Sequence, residues 1–189
     1  MFKFGRFLLA LGALWYFSFG APVASAFDYF TAAQDGQAHY LDLVTKFHAE
    51  KAYQWIRENR IGNAIEDLKY TLDRFPNHPK ALQTMGVVAN MTKNPDMAIT
   101  YYQKALTQYP QYAMTYAQYG QYLLSIGIID KAIESLNRSI EIDPKLAGSY
   151  VLLAHAYSKQ GNSELASEAA ARAKELGYKG SLSGIDAGQ

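Results

Sequence analysis

Four alanines stand 34 residues apart in this chain, and no other sequence feature constrains the fold as strongly. They are Ala64, Ala98, Ala132 and Ala166. Three prolines follow the same period at Pro76, Pro110 and Pro144, and Tyr178 stands where a fourth proline would fall. A gapless period of this length is typical of stacked units that bury their apolar faces only against one another. The sequence therefore predicts an array of repeats, whose core lies between neighbouring units.

Each repeat contains two helical patterns separated by a turn. In residues 113–146 apolar positions recur at spacings of three and four, the period of one helix face. Turn formers such as Gly127 end the first pattern, and the periodic prolines end the second because proline cannot continue helical hydrogen bonds. Asn94 and Ser163 are the expected N-caps of two second helices. Two helices per repeat predict an all-α fold.

The third repeat carries the most complete motif. It reads Tyr116-x2-Tyr119-Gly120-x2-Leu123, then Ala132-x3-Leu136 and Pro144. This skeleton resembles the tetratricopeptide repeat (TPR) pattern of W-x2-L-G-x2-Y, A-x3-F and P. The resemblance implies an α-solenoid of four TPR-like helix pairs in a right-handed superhelix, with repeats at residues 38–78, 79–112, 113–146 and 147–180. The first copy is degraded and has the character of a terminal repeat.

The repeat register assigns most large apolar residues to packing. Gly86, Gly120, Ala52 and Ala154 are expected opposite the periodic alanines, where small side chains allow close helix crossing. The expected wedges between helices are Leu68, Leu82, Tyr102, Tyr116, Leu136 and Tyr150. Seven of the 15 tyrosines lie between residues 101 and 122. Tyrosine suits both cores and interfaces, and the wedge positions favour a core role for this cluster. Tyr109 and Tyr112, beside Pro110, are expected to be its exposed pair.

The N-terminus has the pattern of a secretory leader. Lys3 and Arg6 precede an uncharged run from Phe7 to Gly20, and Ala24-Ser25-Ala26 matches a cleavage site. The favoured interpretation is a signal peptide of residues 1–26, cleaved after Ala26, and a bacterial periplasmic protein. The alternative is an uncleaved membrane anchor. Residues 27–37 are either an irregular lead-in or a helical turn that packs on the array, and residues 181–189 are predicted to be a flexible tail.

Composition argues against several function classes. Without residues 1–26 the chain would carry 16 basic and 17 acidic residues, so its charge gives no case for nucleic acid binding. The chain has no cysteine, its four histidines are dispersed, and it contains no nucleotide-binding or hydrolase motif. We therefore expect no enzyme activity, no metal and no cofactor.

The TPR resemblance implies a concave surface lined by the first helix of each repeat. On those helices the face left free by the wedges includes Tyr53, Gln83, Val87, Asn90, Gln121, Leu124, Val151 and His155. Amide and apolar side chains together suit the backbone of an extended peptide. The resemblance thus implies a scaffold for a protein or peptide partner in the cell envelope, in assembly, secretion or export machinery. A partner on the convex face and a self-associating, homo-oligomeric platform are the alternatives.

Overall fold

A computed structural model describes residues 26–182 of the chain, and its regular structure there is entirely helical. The predicted leader, apart from Ala26, and residues 183–189 of the predicted tail lie outside this range. The helices are α1 (Ala38–Val44, Thr45–Ala49 and Glu50–Arg57), α2 (Ile61–Arg74), α3 (Pro79–Met91), α4 (Pro95–Gln108), α5 (Ala113–Ser125), α6 (Ile129–Ile142), α7 (Ala147–Gln160) and α8 (Ser163–Glu175). The order of elements confirms the predicted all-α array of four helix pairs.

The helices stack in the order that the repeat period predicts. Each first helix packs on its own second helix, as in the pairs α1–α2, α3–α4, α5–α6 and α7–α8. Each second helix also contacts the next first helix, and successive first helices (α1, α3, α5 and α7) contact one another. The first helices therefore form one continuous layer.

Helix α1 contains a π-helical segment that the sequence pattern does not predict. Thr45–Ala49 is π-helical between two α-helical segments, so one turn holds an extra residue. The segment presents Thr45 to His78, whose Nε2 is 3.0 Å from the Thr45 hydroxyl, and His48 to Asp67, with Nδ1 and Oδ1 2.8 Å apart. Helix α1 is thereby joined to α2 and to the start of α3.

The small residues lie at close helix contacts, as predicted. A Cβ added to Gly120 would stand 2.7 Å from Leu136 Cγ and 3.3 Å from the Ala132 carbonyl oxygen, so α5 and α6 cross with almost no space between them. Gly86 was expected opposite a periodic alanine, but its nearest neighbour is a different residue. Its added Cβ would stand 2.9 Å from the ring of Tyr122, in the next repeat. This glycine therefore admits a ring between α3 and α5.

Most predicted wedges are buried. No more than 2% of the surface is exposed in Leu68, Leu82, Tyr102 and Leu136. Tyr116 and Tyr150 are only half-buried, so their assignment as core wedges is wrong. Both line grooves that involve the second helices. The buried members of the tyrosine cluster are Tyr102, Tyr119 and Tyr122. The ring centroid of Tyr102 lies 5.3 Å from that of Tyr119 and 5.8 Å from that of Tyr122.

Two of the predicted helix caps need correction. Asn94 occupies the N-cap position of α4 but its side chain makes no capping hydrogen bond. Ser163 is the first residue of α8, and the cap is the preceding Asn162, whose Oδ1 accepts from the Leu165 amide at 3.1 Å. A further cap comes from His78, whose Nδ1 accepts from the Ala81 amide at the start of α3.

Residues 26–37 form a strap across the turns that precede α3 and α5. The strap is a series of turns, with Ala32 buried, so it packs on the array. The Tyr109 hydroxyl donates to the Ala26 carbonyl at 3.0 Å, and the Tyr112 hydroxyl donates to the Asp28 carboxylate at 2.5 Å. Tyr109 and Tyr112 are half-buried under the strap, and their expected exposure is wrong.

The chain also folds back at its other end. Leu182, which the sequence assigns to the tail, is only 1% exposed and belongs to the core cluster of the last two repeats. Tyr178, at the position of the missing fourth proline, packs against the same cluster. The segment after α8 therefore covers part of that cluster.

Candidate functional site

An open groove lies between the first helices of the second and third repeats. Helix α3 forms one wall and α5 the other, and the groove has a volume of about 200 Å³. Buried Tyr102 and Tyr122 form its base, and Gly86 leaves room for the Tyr122 ring. The groove is thus built on residues that the repeat register assigns to packing.

Four of the eight predicted partner-binding residues meet in this groove. They are Gln83, Val87 and Asn90 on α3 and Gln121 on α5. All four are exposed, and Val87 has 47% of its surface open to solvent, which is high for a β-branched apolar residue. The spacing of three and four residues places the α3 members on one helix face.

The other four predicted residues lie elsewhere on the first helices. Tyr53 is exposed on α1, with the Lys80 ammonium 5.3 Å from its ring centroid. Leu124 and Val151 are half-buried, and both pack against the core cluster of the last repeats. His155 is exposed on α7. These residues do not line the groove between α3 and α5.

Sequence reasoning missed two polar residues of the groove. Gln118 lines it from α5, and its Oε1 atom is buried without a hydrogen-bond partner in the described part of the chain. Ser125 lies at the far end, where its hydroxyl donates to the Tyr122 carbonyl at 2.6 Å and stands 3.5 Å from Asn90 Nδ2. Ser125 follows Gln121 by four residues, so a wider reading of the same helix face would have included it.

The groove offers hydrogen bonds without formal charge. Its lining consists of amides, a serine, two tyrosines, a valine and a glycine. Burial raises the pKa of both Tyr102 and Tyr122 above the ordinary tyrosine value, so their hydroxyls remain neutral at physiological pH. Because no lysine or arginine lines the cavity, it lacks the charges that hold a terminal carboxylate. Amides that both donate and accept, beside Val87, match the alternating groups of an extended peptide.

Two larger grooves involve the second helices. One, of about 690 Å³, is lined by α4, α5 and α6 and includes the exposed ion pair of Arg138 with Glu141 at 2.8 Å. The other, of about 530 Å³, is lined by α7 and α8 and includes the equivalent pair of Arg172 with Glu175 at 2.7 Å. Both pairs are exposed and contribute little to stability. The second helices thus present charged grooves, in contrast to the neutral groove between α3 and α5.

Residues 26–182 contain no group of three or more His, Asp or Glu side chains placed to hold a metal ion. Within the same residues, no helix combines the length and apolarity needed to cross a membrane.

Comparisons with known proteins agree with the repeat architecture. Three repeat models match the chain: a TPR repeat at residues 120–161 and tetratricopeptide repeats at residues 147–176 and 80–112. None of these ranges reaches the first repeat, whose motif is degraded. No curated protein sequence matches the chain.

Among solved structures, a MamA RS-1 ArsTM double mutant is 25% identical, with a TM-score of 0.53 over 71% of this chain and 75% of that chain. A crystal structure of MamA is 22% identical, with a TM-score of 0.54 over 71% and 74% of the two chains. PilF of Pseudomonas aeruginosa is 18% identical, with a TM-score of 0.57 over 72% and 63%. These similarities concern the fold, which is a solenoid of helix pairs.

Proposed function

We propose that this chain, in which three ranges match tetratricopeptide repeat models, is a non-catalytic scaffold whose α3–α5 groove holds an extended segment of a partner protein. The observation that carries this proposal is the convergence of Gln83, Val87, Asn90 and Gln121 on one groove. These residues were selected from the sequence because the packing register leaves them free. Their exposure supports binding, since none of them is needed to fill the core.

The shape and chemistry of the groove favour an extended segment over a compact ligand. A cavity of about 200 Å³ is smaller than the roughly 300–1,000 Å³ typical of pockets for small molecules. It is an open groove between two helices, so it can hold a few residues of a chain whose ends continue beyond it. Buried Gln118 Oε1 supports this assignment, because an unpartnered buried acceptor is rare in native proteins.

The proposed location is the bacterial periplasm, where the scaffold would serve assembly, secretion or export machinery of the cell envelope. The support is the sequence pattern of residues 1–26, which has a basic start, an apolar run and a small-residue cleavage site. The partner is then another envelope protein with an exposed extended segment of neutral polar and apolar residues.

Position-specific crosslinking tests the groove directly. A photoreactive amino acid at Val87 is expected to crosslink the partner in envelope fractions, and the same group at Asn137, exposed on α6, is expected not to. The doubly substituted chain Gln83→Ala/Gln121→Ala should lose most of the Val87 crosslink without a change in melting temperature, because both side chains are exposed. The matched control is Gln103→Ala/Asn137→Ala, which removes two exposed amides from the second helices. If the control pair abolishes capture and the groove pair does not, the partner binds the second-helix face and the proposal is wrong.

A further inference from the structure

Phe27 joins the strap to the array through both its backbone and its ring. The Phe27 amide donates to the Arg74 carbonyl at 2.7 Å, and the Phe27 ring packs against Phe75 and Tyr40, with centroids 5.7 Å and 5.8 Å away. Ala26, the residue before it, is held through its carbonyl oxygen by the Tyr109 hydroxyl at 3.0 Å. Phe27 is thus packed through both its side chain and its amide nitrogen.

The Phe27 nitrogen donates to a carbonyl group at the C-terminal end of a helix. Arg74 is the last residue of α2, and the carbonyl groups of a last helical turn lack intrahelical donors and carry partial negative charge. The Arg74 guanidinium is engaged elsewhere, since Nε donates to the Tyr40 hydroxyl at 3.0 Å and the group lies 5.1 Å from the Tyr70 ring centroid. A cation placed at the Phe27 nitrogen would therefore meet the negative end of α2.

Hydrolysis of the Ala26–Phe27 peptide bond would produce such a cation. A leader peptidase adds one water across the C–N bond, the carboxylate of Ala26 leaves with the leader, and the amino group of Phe27 stays on the array. A free α-amino group is protonated below about pH 8. It then has three N–H donors in place of one, together with a full positive charge.

We propose that Phe27 is the first residue of the exported protein and that its α-ammonium group caps the C-terminus of α2. This inference rests on the proposed export of the chain. The cleavage pattern in the sequence ends at Ala26, and the nitrogen of the next residue meets the end of α2 in the structure. Because the intact bond is held on both sides by Tyr109 and Arg74, cleavage precedes docking of the strap.

A pair of chains with and without residues before Phe27 tests the cap, and the pH dependence separates the ammonium group from the carbonyl contact of Tyr109. One chain starts at Phe27 after removal of a cleavable fusion, and the other carries Gly-Ser before Phe27, which turns the ammonium group into an amide. Both retain every residue of the three core clusters, so both are expected to fold. The Phe27 chain should melt at a higher temperature at pH 6.5, and the difference should disappear by pH 10, where the amino group is neutral. Equal melting temperatures at pH 6.5, or a difference that persists at pH 10, would overturn the proposal.

Cleavage of the leader is measured in a separate experiment from the capping of α2 by the ammonium group. Expression of the full chain in a bacterium, followed by N-terminal mass spectrometry of the periplasmic protein, is expected to give Phe27 as the first residue. Any other N-terminus overturns the proposal, whatever the groove binds. Failure of the Gln83→Ala/Gln121→Ala experiment would instead refute the groove function, while the N-terminus and its pH-dependent stabilisation would stand.

Discussion

Acid should weaken this protein through one buried histidine. His78 is 1% exposed, its Nδ1 accepts from the Ala81 amide at 3.2 Å, and the neutral ring therefore carries its hydrogen on Nε2, facing the Thr45 hydroxyl at 3.0 Å. The ring centroid of Tyr29, in the strap, lies 4.7 Å away. Burial, together with the nearby positive charge of Lys80, lowers the pKa of His78 from 6.5 to about 4. Protonation at Nδ1 would remove the acceptor for the Ala81 amide, so the cap at the start of α3 requires a neutral His78.

The sign and size of the effect follow from this pKa. Between pH 6.5 and pH 4 the unfolded chain binds a proton at His78 that the folded chain does not, so stability falls as the pH falls through this window. One pKa unit corresponds to about 1.4 kcal/mol, so acidification from pH 7 to pH 4 should cost about 3 kcal/mol of unfolding free energy from His78 alone. This is a large share of the roughly 5–15 kcal/mol that stabilises a typical domain.

The replacement His78→Asn separates this residue from other acid-sensitive groups. Asparagine is a favoured N-cap and can still accept from the Ala81 amide, but it does not titrate. Urea unfolding at pH 7 and pH 4 should therefore show a loss that is about 3 kcal/mol smaller for His78→Asn than for the unchanged chain. The control His155→Asn, on an exposed histidine of α7, should behave like the unchanged chain. An equal loss in both variants would refute the assignment.

Two further changes test the packing and the strap. Gly120→Ala should lower stability by about 1–2 kcal/mol, because overpacking against Leu136 costs more than the roughly 1 kcal/mol gained in helix propensity; Gly148→Ala, with open space around it, should not destabilise the chain, and equal melting shifts would contradict the close contact. Asp28→Ala removes a carboxylate that accepts three hydrogen bonds, so limited proteolysis should cut the strap faster while circular dichroism stays unchanged. Asp35→Ala, on the exposed part of the strap, is the control, and equal cleavage of both variants would contradict the role of Asp28.

The repeat period predicted the helix contacts that recur in every unit. Successive units must present the same small and large residues to each other, so Ala64, Ala98, Ala132 and Ala166 could be assigned to helix contacts, and each is buried. The same register predicts which side chains are not needed for packing and are free to face solvent. Of the eight residues selected in this way, four line the groove. Periodicity fails where neighbours differ: Tyr116 and Leu82 occupy equivalent positions, yet only Leu82 is buried.

The strap could not be predicted in this way because it stands outside the period. Its contacts join residues far apart in sequence, such as Tyr29 with Asn77 and Asp28 with Tyr112, and no repeated spacing signals them. A turn tyrosine next to proline is usually exposed, so Tyr109 and Tyr112 were assigned from local sequence alone. The π-helical turn in α1 was missed for a related reason, since one extra residue hardly disturbs a pattern of three and four.

Gly86 contributes both to the packing of the repeats and to the shape of the groove. The equivalent position holds Ala52 in the first repeat and Ala154 in the fourth, while the second and third repeats have Gly86 and Gly120. Gly120 meets Leu136 of its own repeat, whereas Gly86 meets a ring of the next repeat. The missing Cβ lets the Tyr122 ring lie against α3, and its hydroxyl donates to the Pro95 carbonyl at 3.2 Å. The ring therefore forms a floor between α3 and α5 without forcing the two helices apart. A motif residue usually explained by helix packing thus also makes room for the floor of the groove.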